Sequence, residues 1–368
     1  MNARHFVGLM SGTSLDGVDA VLVAFDSEQP RSLAHEHRPF PRELRDELLA
    51  LNAPGPDELE RAALAGNALA RVYADAVQAV LRAAAIAADA VAAIGCHGQT
   101  VRHRPERGYT IQLGNAALLA ELTGIRVVSD FRSRDVAAGG QSAPLAPAFH
   151  AAVFGRPDED RAVLNLGGIA NLTFLRRDGT AGAGFDTGPA SCLMDLWASR
   201  HLGQPFDAEG AWAAGGRVLP DLLERLLAEP YFNLAPPKST GRDLFNASWL
   251  ERALKGGELP RDVQATLLEL TARTVSDALR QRFPAARRLI ACGGGTQNTA
   301  LMRRLGEAIA PLPLETSAGH GIDPQQVESA AFAWLARQAL LQRAGNLPAV
   351  TGARGARILG SVTPSGSR

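Results

Sequence analysis

The sequence predicts an α/β protein built from two related domains. Segments of strand character alternate with helical segments along the chain, which is typical of α/β architecture. With 368 residues, the chain is longer than one ordinary hydrophobic core needs. A unit of strand, glycine-rich turn and strand also occurs twice, at residues 7–23 and 161–175. This weak repeat favours two domains of related structure with a cleft between them.

The first half of the chain shows the alternation clearly. Strands are expected at 5–10 and 18–25, because apolar runs flank the opening turn there. Residues 57–86 carry an apolar stripe of helical period, and Pro56 stands just ahead of them. The same patterns predict a strand within 91–100, a strand at 109–114, a helix at 115–123 and a strand within 126–131.

The second half repeats the pattern. Two β-branched runs flank Gly167 and Gly168, and a short strand ends near Asp186. A strand within 287–295 leads straight into a helix that begins near Gln297. Further helices are expected at 190–202, 262–283 and 325–343.

Charge and cysteine content narrow the function classes. Basic and acidic residues both number 38, so no global basic field exists to hold nucleic acid or an anionic membrane. Cys96, Cys192 and Cys292 lie far apart and form no C-x-x-C pair, which argues against disulfides and thiolate zinc. The start has no secretory apolar run, and the apolar stretch 62–94 contains four charges. These features predict a cytoplasmic protein without a membrane span.

The opening turn, residues 11–19, combines three hydroxyls with two carboxylates. Backbone N–H groups of a glycine-rich turn form an anion site, and neighbouring hydroxyls add donors. A carboxylate there would repel phosphate unless a divalent cation lies between them, and Mg²⁺ prefers such oxygens. Asp16 and Asp19 are both candidate ligands. The alternative is an ordinary hairpin with Asx and Ser turns.

Asp186 stands at the end of a short strand, in a loop of small residues that leaves room for a ligand. The alternative is that Asp186 caps a helix that starts near Pro189, and this alternative is the better one when the residue is taken alone.

Other signals are weaker. The glycines of "LIACGGGTQNTAL" suit a flat ring or a phosphate, or simply a tight turn, and the chain has neither a dinucleotide-binding nor a P-loop motif. Arg132 and Arg134 suit a substrate carboxylate. His97 and Glu328 are equally weak candidates. Taken together, these sites indicate a nucleotide-dependent phosphotransferase.

The motifs together resemble the anhydro-N-acetylmuramic acid kinase family over essentially the whole chain. They are "GLMSGTSLDGVD" at 8–19, "GCHGQT" at 95–100, "DFRSRDVAAGGQ" at 130–141, "NLGGIANLT" at 165–173, "FDTGP" at 185–189, "PKSTGR" at 237–242, "CGGG" at 292–295 and "LPAVTGA" at 347–353. The resemblance implies the sugar kinase, actin and chaperone ATPase superfamily. It implies two ribonuclease-H-like domains with mixed sheets flanked by helices and an active-site cleft between them. We expect the N-terminal lobe at 1–133 plus 344–368 and the C-terminal lobe at 134–343.

The resemblance also implies residue roles. Asp186 matches the catalytic base, Asp16 helps to place Mg²⁺, and the sugar-binding residues are Thr100, Arg134 and Glu328. The implied ATP-binding residues are Gly12, Thr13, Ser14, Leu15, Asp16, Gly17, Val18 and Asp19 in the hairpin, Gly167 and Gly168 in a second phosphate loop, and Gly293, Gly294 and Gly295 beside the adenosine.

The implied reaction opens the internal 1,6-anhydro bond of the sugar with water and phosphorylates O6 from ATP, in peptidoglycan recycling. The resemblance also suggests a homodimer. Two residues depart from the family pattern: Ser142 stands where glycine is usual, and Ser191 where asparagine is usual. Ser191 can still cap a helix.

Two other functions stay open. One is a kinase of the same superfamily that acts on an ordinary sugar hydroxyl or a carboxylate. The other is a nucleotide-gated binding protein without turnover.

Overall fold

The structure is a computed structural model that describes residues 5–12, 15–26, 30–178, 181–236 and 238–366. It divides into two units. Unit 1 comprises Met1–Phe149 and Gly321–Arg368, and unit 2 comprises His150–His320. The divisions therefore fall at 149/150 and 320/321, not at the expected 133/134 and 343/344.

Strands and helices alternate as the sequence predicts. The strands are β1 (His5–Met10), β2 (Gly17–Ala24), β3 (Arg31–Pro39), β4 (Val91–Cys96), β5 (Gln99–Arg104), β6 (Tyr109–Leu113), β7 (Val127–Ser129), β8 (Arg161–Leu166), β9 (Ile169–Leu175), β10 (Ala181–Pro189), β11 (Leu289–Cys292), β12 (Leu314–Thr316) and β13 (Ser361–Thr363). The helices are α1 (Arg42–Ala50), α2 (Glu58–Ala84), α3 (Ala116–Thr123), α4 (Ser133–Ala137), α5 (Ala146–Phe154), α6 (Ser191–Leu202), α7 (Ala211–Ala214), α8 (Pro220–Leu227), α9 (Ala247–Ala253), α10 (Pro260–Arg282), α11 (Thr299–Ile309), α12 (Val327–Leu340) and α13 (Pro348–Thr351). The α/β class is confirmed.

The two main sheets share the order of five strands, and the sheet of unit 1 has β13 as a sixth strand at one edge. Unit 1 has the order β13-β7-β4-β1-β2-β3, and unit 2 has the order β10-β9-β8-β11-β12. In each sheet the first three strands in the chain form an antiparallel meander. The next two strands then add in parallel on the other side of the first strand, and β13 of unit 1 pairs antiparallel with β7. The repeated strand–turn–strand unit at residues 7–23 and 161–175 is therefore the start of the same topology in both units.

Helices cover the sheets by burying apolar stripes. In α2, Leu69, Tyr73, Val77 and Val80 are buried at spacings of three and four, which places them on one face of the helix. In unit 2, every residue of β8 is buried, as expected for a central strand. The long helix α10 packs into the same hydrophobic core.

Helix α12 belongs to unit 1, although residues 325–343 were expected in the C-terminal lobe. Gly8 of β1 and Gly95 of β4 lie opposite each other in parallel register. A Cβ atom on Gly8 would overlap the carbonyl of Ser329, and one on Gly95 would overlap the carbonyl of Phe332. The missing side chains let the α12 backbone approach the sheet closely. The sequence of α12 shows only that the helix is apolar, not which sheet it covers.

A buried carboxylate of α4 links the segment that follows α4 to the segment that follows α12. Asp135 accepts hydrogen bonds from the Ser142 N–H (2.8 Å), from Asn346 Nδ2 (2.7 Å) and from Thr351 Oγ1 (2.8 Å). Three donors satisfy this buried acceptor, as burial of a charge requires. Ser142 itself has a φ of 52°, a left-handed conformation that favours glycine. Its buried hydroxyl finds no hydrogen-bond partner in the described part of the chain.

Within the described residues, no helix is both long enough and apolar enough to cross a lipid bilayer. All three cysteines are buried, and none of them forms a disulfide.

The packing at Gly95 leads to a first prediction. Gly95→Ala forces the α12 backbone away from β4, so we expect a loss of about 3 kcal/mol in unfolding free energy, the upper end for overpacking. Calorimetric or urea unfolding measures it. Gly319→Ala is the matched control, because a Cβ there meets open space. Equal stability of the two variants would contradict the close approach of α12.

Candidate active site

The hairpin between β1 and β2 brings most of the expected phosphate-binding residues to the end of two buried strands. Leu15 has a φ of 55°, and its N–H donates to the Gly12 carbonyl (3.3 Å). At Gly17 a Cβ would overlap the Arg38 carbonyl and the His37 ring, so β3 requires glycine here. Thr13 and Ser14 lie outside the described residues.

The base of this hairpin is anchored to the segment that follows β4. The Gln99 side chain donates to the Gly12 carbonyl (3.2 Å), and Ser11 Oγ donates to the Gly98 carbonyl (3.2 Å). Ser11 also shares a hydrogen bond of 2.8 Å with the buried Tyr73 hydroxyl. The motifs at 8–19 and 95–100 are thus one structural unit.

The two hairpin carboxylates have different surroundings. Asp19 Oδ1 is contacted by His35 Nε2 (3.0 Å) and His37 Nδ1 (3.1 Å), both from β3. Asp16 is exposed at the start of β2. In the residues that the structure describes, no group of three or more His, Cys, Asp or Glu side chains could hold a metal ion. A cation here would therefore depend on one protein carboxylate and on oxygens of a bound phosphate, and Asp16 is the more accessible carboxylate.

Arg132, rather than Arg134, is joined to the other candidates of unit 1. Its guanidinium donates to Nε2 of His97 at 3.0–3.1 Å and also to the Ser142 carbonyl. Burial and the Arg132 charge lower the pKa of His97 to about 3, so the imidazole is neutral. Burial lowers the pKa of Arg132 to about 10, and the charge of Glu328 opposes that shift. The structure thus brings Glu328, Arg132 and His97 together.

The other two expected sugar-binding residues have simpler environments. Thr100 lies half-buried on β5, where its hydroxyl accepts a hydrogen bond from Gln112 Nε2 (3.1 Å). Arg134 is exposed on α4. Nothing in the sequence "DFRSRD" distinguishes the two arginines, because both flank buried residues.

The second glycine turn, Gly167–Gly168, is bound to the start of α6. The Gly168 carbonyl accepts from the N–H groups of Ala190 (2.9 Å) and Cys192 (3.1 Å), and the Gly167 carbonyl accepts from Ser191 N–H (3.1 Å). These bonds satisfy the free donors of the helix N-terminus. Neither Asp186 nor Ser191 caps this helix, so both capping interpretations are wrong.

A cation lies beside this second turn. Nη2 of Arg242 is 4.0 Å from the position that a Cβ on Gly168 would occupy. The Arg242 charge also lowers the pKa of Asp195, a carboxyl whose pKa burial raises. The Ser191 hydroxyl hydrogen-bonds to Asp195 instead of capping the helix. Arg242 belongs to the "PKSTGR" motif, which is distant in sequence from Gly168.

The three glycines after β11 differ in how closely other residues pack against them. A Cβ on Gly293 would overlap Asn165 and crowd Leu166, and one on Gly295 would come within 2.8 Å of Leu166. Both glycines therefore permit close packing against the end of β8. A Cβ on Gly294 would meet nothing within 4 Å. The helix that follows begins at Thr299, two residues later than expected, and Asn298 caps it.

Asp186 lies within β10, half-buried, and not in an exposed loop. It pairs with Asn171 of β9, and the register shifts between Asp186 and Gly188. Bulges of this kind often lie beside active sites, where they redirect a side chain. The Thr240 N–H donates to Oδ2 (3.0 Å), whereas Oδ1 accepts no hydrogen bond from the described residues.

The electrostatics of Asp186 suit a proton acceptor near neutral pH. Burial raises the pKa of Asp186 to about 6, against the opposing effects of the Thr240 N–H and of the Lys238 charge. The carboxylate is therefore ionised at neutral pH but basic enough to accept a proton.

Sequence reasoning missed three neighbours of these sites: Lys238, Tyr231 and Arg242. The Tyr231 hydroxyl donates to the Asp186 carbonyl (2.8 Å), and the Asp186 N–H donates to the Lys238 carbonyl (3.3 Å). The "PKSTGR" motif was a usable signal for two of them, but only the fold shows that it lies against Asp186.

The chain is similar in sequence to known proteins over nearly its whole length. The family model for anhydro-N-acetylmuramic acid kinase matches residues 4–365. The chain is 59% identical to the anhydro-N-acetylmuramic acid kinase of Bordetella petrii, over 98% of this chain and 97% of the relative. It is 53% identical to that of Nitrosospira multiformis, over 99% and 100%. A ROK family glucokinase from Streptomyces griseus, solved with glucose and AMPPNP, is similar at 14% identity and a TM-score of 0.43, over 91% of this chain and 99% of the other. The chain belongs to the anhydro-N-acetylmuramic acid kinase family.

Proposed function

We propose that this protein uses ATP and water to convert 1,6-anhydro-N-acetylmuramic acid into N-acetylmuramic acid 6-phosphate and ADP, in peptidoglycan recycling. Membership of the kinase family supports the choice of substrate. The observation that carries the chemistry is the state of Asp186. One oxygen of its carboxylate is held by Thr240 N–H, and burial raises its pKa to about 6.

Asp186 acts as the general base. It takes a proton from the water that attacks the anomeric carbon, while the C1–O6 bond breaks. O6 keeps the electron pair of that bond and forms a new bond to the γ-phosphorus of ATP, and ADP leaves. The phosphoryl group thus replaces the proton that a glycosidase delivers to its leaving oxygen.

The remaining candidate residues bind and orient the substrates. The hairpin residues 12–19 and the turn Gly167–Gly168 bind the phosphates of ATP, and Gly293–Gly295 lie beside the adenosine, where Gly294 leaves open space. Thr100, Arg134 and Glu328 bind the sugar. Arg242 supplies positive charge next to Gly168, where negative charge on the transferred phosphoryl group is stabilised.

Mg²⁺ fits the hairpin as a nucleotide-bound ion. Asp16 is the residue that would hold it, because it is exposed next to the hairpin turn and Mg²⁺ commonly combines one carboxylate with phosphate oxygens. When bound, the ion neutralises charge on the phosphates.

We also place the protein in the cytoplasm as a homodimer without nucleic-acid or membrane partners. Buried cysteines without a disulfide support the cytoplasm, and a net charge of zero argues against nucleic-acid and anionic-membrane partners. The dimer rests on the family resemblance. Light scattering tests the dimer.

Replacement of the base gives the sharpest test of the reaction. Asp186→Asn keeps the shape of the side chain but removes the proton acceptor, so turnover should fall by about 10² to 10⁴. ADP formation is measured with the anhydro sugar, without sugar and with intact N-acetylmuramic acid. Near-normal turnover in the variant would exclude Asp186 as the base. ADP formation that does not depend on the anhydro sugar would exclude the reaction.

The raised pKa predicts a pH profile. Because only the ionised carboxylate accepts a proton, kcat/KM for the anhydro sugar should fall as the pH drops through about 6. Stopped assays between pH 4.5 and 8.5 measure this limb, with circular dichroism as a check that the fold persists. A limb near pH 4, the ordinary range for aspartate, would show that burial does not control the base.

Arg242→Met tests the cation beside the second turn. Loss of a positive charge that stabilises the transferred phosphoryl group should lower kcat about tenfold or more, with little change in the KM for the sugar. Arg252→Met is the matched control, because Arg252 is an exposed arginine on α9. Equal activity of the two variants would remove Arg242 from the site.

A further inference from the structure

The chain contains only two lysines among its 38 basic residues, Lys238 and Lys255. Lys255 is exposed, whereas Lys238 is half-buried next to Asp186. At nearly every other basic position this chain uses arginine. Lysine at position 238 is therefore unusual in this chain.

The surroundings of Lys238 suit an ammonium group better than a guanidinium. Nζ donates to the carbonyls of Tyr231 (3.0 Å) and Phe232 (3.1 Å). It also lies 4.6 Å from the Tyr231 ring centre and 5.7 Å from that of Phe185. A compact ammonium can direct its donors at two adjacent carbonyls, whereas the planar fork of arginine matches carboxylates.

These contacts connect Lys238 to Asp186 through the residues around it. Lys238 holds the turn at 230–233 through two carbonyls, and Tyr231 of that turn donates to the Asp186 carbonyl. The Lys238 carbonyl accepts from Asp186 N–H, and Thr240, two residues later, donates to Asp186 Oδ2. The backbone and one carboxylate oxygen of Asp186 are thus fixed by a single segment.

Lys238 forms no ion pair with the described residues. No carboxylate of the described residues lies within 4 Å of Nζ, so its field acts on Asp186 without direct neutralisation. We propose that Lys238 is a positioning residue that orients the Asp186 carboxylate, directs Oδ1 at the attacking water and supplies the positive charge beside it. This inference rests on the proposed role of Asp186 as the base.

Among the described residues, Tyr231 and Arg282 are the titratable groups that face Asp186 and Lys238. Lys238 acts on Asp186, burial and the Asp186 charge raise the pKa of Tyr231, and Arg282 acts on Lys238 from the end of α10. Burial and Arg282 lower the pKa of Lys238, and Asp186 opposes that shift. Loss of the Lys238 charge should therefore raise the pKa of Asp186.

The first experiment uses the intact wild-type protein without substrate. Lysine labelled with ¹³C at the ε carbon gives two side-chain NMR signals, one for each lysine. The Lys238 signal should shift with an inflection near pH 6 as Asp186 ionises, and this inflection should vanish in Asp186→Asn. The Lys255 signal is the internal control and should show none. A Lys238 signal without an inflection near pH 6 would overturn the inference.

The second experiment measures kinetics. In Lys238→Met the acid limb of kcat/KM should move to higher pH, and the loss of activity should be several-fold larger at pH 6 than at pH 8. Lys238→Arg keeps the charge and should keep the limb of the wild type despite poorer packing, while Lys255→Met should match the wild type throughout. An unmoved limb in Lys238→Met would overturn the inference.

The two proposals fail in different ways. If Asp186→Asn retains turnover, the proposed base is wrong, yet the Lys238 signal can still report on Asp186. If Asp186→Asn loses turnover while neither the Lys238 signal nor the Lys238→Met limb responds, only the positioning role is wrong.

Discussion

The close approach of α12 to β1 and β4 determines the arrangement of the candidate residues in unit 1. Gly8 and Gly95 leave no side chain between the sheet and the helix backbone. The rest of α12 then packs at short range, and Phe332 contacts the His97 ring with centres 4.7 Å apart. The loops after β1 and β4 and the first turn of α12 thereby become neighbours. One steric requirement thus places the hairpin between β1 and β2, His97 and Glu328.

In unit 2, the charge state of Asp186 depends on a balance of opposing electrostatic effects. Burial disfavours the ionised carboxylate, whereas Thr240 N–H and Lys238 favour it, and the result is a pKa of about 6. An exposed aspartate would be a weaker base. A more deeply buried one without these partners would hold its proton at neutral pH. Asp186 is half-buried inside β10, beside a bulge, and its basicity is therefore intermediate between these two cases.

The two units start with the same meander but use it differently. In unit 1 the turn between the first two strands carries the hydroxyls and carboxylates, and Asp19 is engaged by two histidines of β3. In unit 2 the equivalent turn is a bare Gly167–Gly168 pair, and the charge beside it comes from Arg242. A shared topology therefore places a turn at the same point of each sheet, while local sequence decides what that turn contacts.

The sequence by itself determined the α/β class and the paired strand–turn–strand units, because period, apolar runs and glycine turns are local properties. The expected roles of the hairpin and of Asp186 rest instead on the resemblance of the motifs to a known family. The sequence did not determine which sheet α12 covers, since that depends on two glycines more than 200 residues away. It also did not show that Asp186 lies inside a strand without capping α6, because the carbonyls of Gly167 and Gly168 satisfy that helix instead. Asp186 meets Lys238, and Arg132 meets His97, only when distant segments fold together. Hydrogen bonds and burial depend on the three-dimensional arrangement, so they produce no periodic pattern in the sequence.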